Sequence, residues 1–264
     1  MNIGFFDSGL GGLLMLKAVA KALPQYDYVY YGDTANLPYG DKSEDHIYEL
    51  TKKAISELFA RDCALVIVAC NTASAESIRK LQDTYLKEEF PEKKILGVIV
   101  PTVEEVVEGG HSRAVLIATK RTVESGKYAR ELNKLNNTIQ LTSVSTPELV
   151  PLIELGEDEA ATASVIHTLE REAREGDVAI LGCTHYILLK DALRNHFGNR
   201  LVVISQDEVI PKKLSDYLNR HPEITSQLTS TGKREIMLTK HRPDYDRTTA
   251  EFLGGAYIPE AAAQ

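Results

Sequence analysis

Two cysteines in this sequence occupy similar positions, each at the end of a short apolar run. Cys70 follows the run 65–69, and Cys183 follows the run 178–182. Short runs rich in β-branched residues are typical of strands buried on both faces of a parallel sheet. The sequence therefore predicts that each thiol lies at the carboxyl end of a buried strand.

The residues after Cys70 indicate that a helix begins there. Asn71 and Thr72 can each act as its N-cap. Open α/β sheets bind ligands at the carboxyl ends of their strands, and the N-terminus of a helix favours a thiolate. We therefore form the hypothesis that Cys70 and Cys183 face each other across one site.

Two opposed thiols have the chemistry for proton transfer at a single carbon from opposite sides. The α-carbon of an amino acid is such a centre. One thiolate removes its proton while the opposing thiol delivers a proton to the other face, so that the configuration inverts. This reaction needs no pyridoxal cofactor, and the sequence has no obvious site for one.

Each cysteine needs a neighbouring group that takes or returns its proton, because a thiol with a pKa near 8.5 is only a few per cent thiolate at neutral pH. Asp7 is the candidate beside Cys70, and His185 is the candidate beside Cys183. The main-chain amides of 71–72 and 184–185 are suited to binding a carboxylate.

Strand and helix patterns alternate along the chain, which predicts parallel sheets with helices on both faces. Strands are expected at 2–6, 28–31, 65–69, 95–100, 114–118, 139–144, 178–182, 201–204 and 236–238. Pro101 is expected to close the strand before it, and Pro211 to begin a helix. Gly176 is expected to end a helix, and a last helix is expected at 248–253.

A weak internal repeat supports two similar halves. Cys70 follows Asp7 at nearly the spacing at which Cys183 follows Thr119. We predict an α/β fold of two similar doubly wound parallel-sheet domains with the active site in the cleft between them. The first domain comprises 1–98 plus 210–264, and the second comprises 99–209.

Composition excludes several classes of function. The net charge of −8 over 264 residues argues against a nucleic-acid partner. No apolar segment approaches the roughly 20 residues that cross a bilayer, and no basic leader precedes the first strand, so we expect a cytoplasmic protein. Three cysteines without framework spacing argue against structural disulfides, and no pattern of metal ligands is present.

Five stretches together carry a resemblance to a known family: 6–12, 31–40, 69–74, 150–154 and 181–186, with 251–254 also fitting. In this order they resemble the glutamate racemases of the cofactor-independent aspartate/glutamate racemase superfamily. His185, directly after the second Cys-Thr pair, favours this branch over the aspartate- and hydantoin-directed relatives.

The resemblance implies roles for individual residues. Cys70 and Cys183 would be the acid/base pair, with Asp7 and His185 as helpers and Glu154 orienting His185. Substrate binding would fall to Asp7, Ser8, Pro38, Tyr39, Gly40, Cys70, Asn71, Thr72, Thr119, Thr122, Cys183, Thr184 and His185.

The resemblance also implies a function. Such enzymes interconvert L-glutamate and D-glutamate without a cofactor or metal, supply D-glutamate for peptidoglycan synthesis, and are often homodimers.

The sequence departs from the family pattern at two informative positions. Arg121 stands before Thr122 where a glycine is usual, and the segment Ser205-Gln206-Asp207 replaces a more usual Asp-Ser pair after its strand. No residues precede the first strand, and we expect no activation by a muramyl precursor.

Other interpretations remain open at this point. Asp7 could cap a helix, His185 could be a structural histidine, and Glu154 could be a solvated carboxylate. Asp33 could stabilise a loop or contact the substrate, and Cys63 is expected to be inert. The substrate could be aspartate or another amino acid, and the chain could be a non-catalytic amino-acid-binding or regulatory protein.

Overall fold

The strands of the computed structural model, which describes residues 1–174, 177–241 and 260–261, form two separate sheets. They are β1 (Asn2–Asp7), β2 (Tyr28–Gly32), β3 (Cys63–Val68), β4 (Lys94–Gly97), β5 (Arg113–Ala118), β6 (Gln140–Ser145), β7 (Val178–Gly182), β8 (Val202–Ile204), β9 (Arg234–Leu238) and β10 (Glu260–Ala261). Among the described residues, the first sheet has the order β10-β9-β2-β1-β3-β4 and the second β6-β5-β7-β8. Every strand pair in both sheets is parallel.

Helices connect the strands and cover both faces of each sheet. They are α1 (Gly12–Ala22), α2 (Glu44–Ala60), α3 (Asn71–Glu76), α4 (Ile78–Asp83), α5 (Tyr85–Glu89), α6 (Ile99–Glu108), α7 (Lys120–Glu124), α8 (Lys127–Leu135), α9 (Leu149–Glu154), α10 (Asp158–Glu172), α11 (Lys190–Phe197), α12 (Gln206–Arg220) and α13 (Pro222–Thr225). Short 3-10 helices span Tyr39–Asp41, Thr184–Leu189 and Gly198–Arg200.

The central strands are apolar along their whole length because both of their faces are buried. All six residues of β3 and all five of β7 are buried. Two apolar clusters flank the first sheet and two more flank the second. The predicted α/β class, with two doubly wound parallel sheets, is confirmed.

The sequence-distant strand β9 belongs to the first sheet, where it pairs with β2 from Tyr28–Arg234 to Gly32–Leu238. The first sheet with its helices is called the first lobe below, and the second sheet with its helices the second lobe. The domain boundaries at residues 98/99 and 209/210 stay a prediction.

Two prolines expected at the edges of elements lie inside helices, and both expectations were wrong. Pro101 lies in the first turn of α6, where its missing N–H has no intrahelical acceptor to lose. Pro211 lies within α12, which begins at Gln206. The acidic residues Asp207 and Glu208 in its first turn favour the early start, because negative charge is stabilising at the N-terminus of a helix.

Several expectations fall outside the described residues: the helix at 248–253, the motif at 251–254 and the helix end at Gly176. In the part of the chain that is described, no helix combines the length and apolar character needed to cross a membrane.

Candidate active site

A cavity of about 430 Å³ opens between the carboxyl ends of the strands of the two lobes, and it is called the interlobe cleft below. Twelve of the predicted site residues line it: Ser8, Pro38, Tyr39, Gly40, Cys70, Asn71, Thr72, Thr119, Glu154, Cys183, Thr184 and His185. Parallel strands direct their carboxyl ends to one edge of a sheet, which is why residues so distant in sequence converge here.

Two predicted site residues lie behind the wall of the cleft. Asp7 and Thr122 are almost wholly buried, and each contacts a residue that does line the cleft.

Cys70 joins the end of β3 to the start of α3, and it caps that helix itself. Its Sγ accepts a hydrogen bond from the backbone N–H of Ala73 at 3.4 Å and donates to Ser8 Oγ at 3.4 Å. The expectation that Asn71 or Thr72 is the N-cap was therefore wrong, because the thiol already occupies the capping position.

Burial, and after it the negative charge of Asp7, raise the pKa of the Cys70 thiol to about 12. The hydrogen bonds with Ser8 and Ala73 oppose this rise without cancelling it. Cys70 is therefore protonated at neutral pH in the unliganded protein.

Cys183 follows β7 and lies beside an imidazole. Its Sγ is 3.8 Å from Nδ1 of His185, and Nε2 of the same ring is 3.2 Å from a carboxylate oxygen of Glu154. Burial by itself would lower the pKa of His185, but the hydrogen bonds with Cys183 and Glu154 raise it to about 10. The ring is therefore an imidazolium at neutral pH, held between a sulfur and a carboxylate.

Asp7 lies behind the wall of the cleft and contacts both lobes. Its Oδ2 accepts hydrogen bonds of 3.1 Å from the backbone N–H groups of Gly9 and Gly12, and its Oδ1 accepts one of 3.4 Å from Thr184. Burial raises the pKa of Asp7, and the positive charge of His185 opposes that rise. Asp7 thus holds the glycine turn before α1 and also acts electrostatically on the side chains of the site.

Three threonine hydroxyls meet where the lobes touch. Thr72 of the first lobe lies 3.0 Å from Thr119 and 3.2 Å from Thr122 of the second lobe, measured between the Oγ1 atoms. Thr119 and Thr122 are 2.9 Å apart. The cluster offers several hydroxyl donors to an anionic group in the cleft.

The carboxamide of Asn71 is fixed by residues that sequence reasoning missed. Asn71 donates to Gln206 at 2.8 Å and accepts from Tyr128 at 2.7 Å and from Gln206 at 2.9 Å. Gln206 also donates to Thr102 at 3.1 Å. The only sequence signal for this network was the unusual residue Gln206 after β8.

The hydrogen bonds of Asp33 support the interpretation that this residue stabilises a loop. Its carboxylate accepts hydrogen bonds from Tyr39 at 2.6 Å, from Asn36 and from Thr239. It thereby holds in place the loop that brings Tyr39 to the cleft. Cys63 is buried at the start of β3, and burial raises its pKa to about 12.

Further residues line the cleft without having been predicted: Thr34, Ala35, Leu37, Asp41, Lys120, Thr146, Pro147, Val150, Pro151 and Lys240. Most are sequence neighbours of predicted site residues. Lys240 lies two residues after the end of β9 and carried no such signal. The described residues include no group of three or more His, Cys, Asp or Glu side chains that could hold a metal ion.

A sequence model of one family, Asp/Glu/Hydantoin racemase, matches residues 13–209. A glutamate racemase from Dinoroseobacter shibae is 39% identical over 238 residues, which cover 85% of this chain and 86% of that relative.

Solved structures of similar fold bear related names. A glutamate racemase isoform, RacE1, from Bacillus anthracis superposes with a TM-score of 0.87 at 25% identity, covering 99% of this chain and 97% of that one. A glutamate racemase from Francisella tularensis in complex with D-glutamate gives a TM-score of 0.84 at 26% identity, with the same coverage. The resemblance predicted from the motifs is thereby confirmed, and the chain belongs to the Asp/Glu/Hydantoin racemase family.

Proposed function

We propose that this protein interconverts L-glutamate and D-glutamate by proton transfer between Cys70, Cys183 and the α-carbon of the substrate. One observation carries the proposal: two thiols from different lobes line the same cavity, each at the carboxyl end of a central strand. A carbon bound between them has a sulfur available on either face.

In the proposed reaction, one cysteine as thiolate takes the α-proton and becomes a thiol. The opposing thiol gives its proton to the other face of the carbon and becomes a thiolate, so the configuration inverts and no proton is gained or lost. The reverse reaction exchanges the two roles. No cofactor takes part in these steps.

The groups next to Cys70 and Cys183 favour different protonation states of the two sulfurs before the reaction. The charge of Asp7 and the burial of Cys70 favour its thiol form, which keeps that sulfur ready to give a proton. His185 lies against Cys183 and carries the proton that can pass to or from that sulfur, while Glu154 fixes the ring. We assign Asp7, His185 and Glu154 as the groups that set these proton positions.

Substrate orientation falls to the polar groups around the two sulfurs. The hydroxyls of Thr72, Thr119 and Thr122 suit a carboxylate, and the start of α3, where backbone N–H groups point into the cleft end of the helix, adds to this preference. The remaining proposed contacts come from the cleft residues Ser8, Pro38, Tyr39, Gly40, Asn71 and Thr184.

The choice of glutamate over aspartate rests on similarity to relatives that bear the name glutamate racemase. The proposal extends to the setting that the resemblance implies: a cytoplasmic homodimer that supplies D-glutamate for peptidoglycan synthesis.

The test is to incubate the purified protein with L-glutamate or L-aspartate and to follow both enantiomers by chiral chromatography. We expect glutamate to approach equal amounts of the two forms and aspartate to stay unchanged. Cys70→Ala and Cys183→Ala should each abolish turnover. Faster racemisation of aspartate than of glutamate would show that aspartate is the substrate. Unchanged turnover in either variant would reject Cys70 and Cys183 as the acid/base pair.

A further inference from the structure

An ion pair joins the two lobes beside the threonine cluster. Nε of Arg121, in α7 of the second lobe, lies 2.8 Å from Oε1 of Glu76, at the end of α3 in the first lobe. A second first-lobe carboxylate, that of Glu44, lies 3.8 Å from the same guanidinium. A positive group of one lobe thus faces two negative groups of the other.

The pair is screened from water on its carboxylate side. The side chain of Glu76 is 6% exposed and that of Arg121 is 27% exposed. The contact departs from hydrogen-bond geometry, and the described residues supply no other hydrogen-bond partner for the two contacting atoms. Their charges therefore compensate each other, and removing the charge of Arg121 would leave the buried carboxylate of Glu76 poorly compensated.

The pair occupies a position from which it can act on the cleft. Glu76 ends the same short helix that begins beside Cys70 and carries Thr72. Arg121 directly precedes Thr122 in a helix of five residues capped by Thr119. Each charged residue is therefore rigidly connected to hydroxyls of the threonine cluster.

We propose that Arg121 and Glu76 are a positioning pair, which holds Thr119 and Thr122 against Thr72 and so stabilises the arrangement of the two lobes that forms the cleft. The inference rests on the proposed function, because it assigns the pair an effect on glutamate binding. The pair contacts no reacting atom, and its effect passes through the three threonines.

Loss of the pair should weaken substrate binding more than it slows chemistry. If this arrangement of the lobes becomes a minor population of the free protein, the apparent affinity for glutamate falls by that fraction, whereas the protein with glutamate bound still adopts it. We expect Arg121→Gln and Glu76→Gln each to raise the KM for glutamate about tenfold, with kcat within about twofold of the wild type. The double variant should raise KM no more than the single variants do, because the interaction is already lost in each of them and the double variant leaves neither charge unpaired.

Two further variants separate this effect from general damage to α7. Glu124→Gln removes the Lys120–Glu124 pair within that helix, at 3.8 Å, and should leave KM unchanged. Arg121→Lys keeps the charge and should keep KM within about threefold of the wild type, because electrostatics rather than directional bonding carries the contact.

The experiment measures KM and kcat for both enantiomers, together with glutamate affinity by calorimetry. The proposal would be overturned by an unchanged KM in Arg121→Gln or by an equal rise of KM in Glu124→Gln. Additive effects on KM in the double variant would also overturn it. A wild-type protein that binds glutamate without racemising it would contradict only the proposed function. Calorimetry would still test the effect of the Arg121–Glu76 pair on glutamate affinity. Should the Gln variants fail to fold, the folded variant Arg121→Lys still tests the proposal. A KM for this variant that exceeds the wild-type value by more than about threefold would reject it.

Discussion

At the scale of single residues, the two sulfurs of the cleft have different partners. Cys70 is held by a hydroxyl and a backbone N–H, and burial raises its pKa to about 12. Cys183 touches an imidazole instead. A reversible two-base reaction does not require identical bases, only one group on each face that can hold the proton.

The elevated pKa of His185 predicts a pH-dependent stability. The folded-state pKa is about 10, against about 6.5 for an unfolded histidine. The folded protein therefore binds more protons between these values, and the stabilisation is fully present below about pH 6.5 and lost as the pH rises towards 10. We expect the free energy of unfolding to fall over this window in the wild type.

Urea denaturation of the wild type and His185→Gln from pH 6 to 10 measures this effect. The variant lacks the titrating ring, so the difference in stability between the two proteins should shrink as the pH rises. Two parallel pH profiles would show that the ring gains no protonation-linked stability from Cys183 and Glu154.

At the scale of elements, the glycine turn between β1 and α1 packs directly on the second lobe. A Cβ atom on Gly11 would lie 2.6 Å from Oγ1 of Thr184 and 3.0 Å from the backbone N of His185. A side chain there would force Thr184 and His185 to move, so this turn requires glycine for close approach.

Gly11→Ala should therefore displace the His185 segment and lower kcat/KM by about tenfold or more, since small misplacements of catalytic groups are costly. Steady-state kinetics measures the effect. Gly110→Ala is the control: its φ is 71° and nothing lies within 4 Å of the added carbon, so it strains the backbone far from the cleft. Equal losses in both variants would point to general destabilisation and contradict a local clash.

The elements also show what sequence patterns could predict. The apolar runs of β3 and β7 identified buried strands, because residues in such strands have no polar face. The predictions based on Pro101 and Pro211 were wrong, because local propensity does not reveal whether tertiary contacts support a helix around a proline. The Asn71–Gln206–Tyr128 network was not predictable, since it joins three segments through contacts that have no sequence period.

At the scale of the whole molecule, two sheets of similar plan meet at the carboxyl ends of their strands. β1 and β3 are neighbours in the first sheet, and β5 and β7 are neighbours in the second. The spacing from Asp7 to Cys70 and from Thr119 to Cys183 predicted this duplication. Motif order could not predict the side chains that join the lobes, such as Arg121 with Glu76, because complementary charges far apart in sequence leave no local signal.

The central claim is that two different groups handle the α-proton on opposite faces of one carbon. The most direct measurement is the isotopic content of both enantiomers at low conversion of L-glutamate in heavy water. We expect deuterium at the α-carbon of the D-glutamate formed and ordinary hydrogen in the recovered L-glutamate, because the thiol that receives the substrate proton returns that same proton. Deuterium entering recovered L-glutamate as fast as the product forms would indicate a single base serving both faces, and would contradict the two-cysteine account.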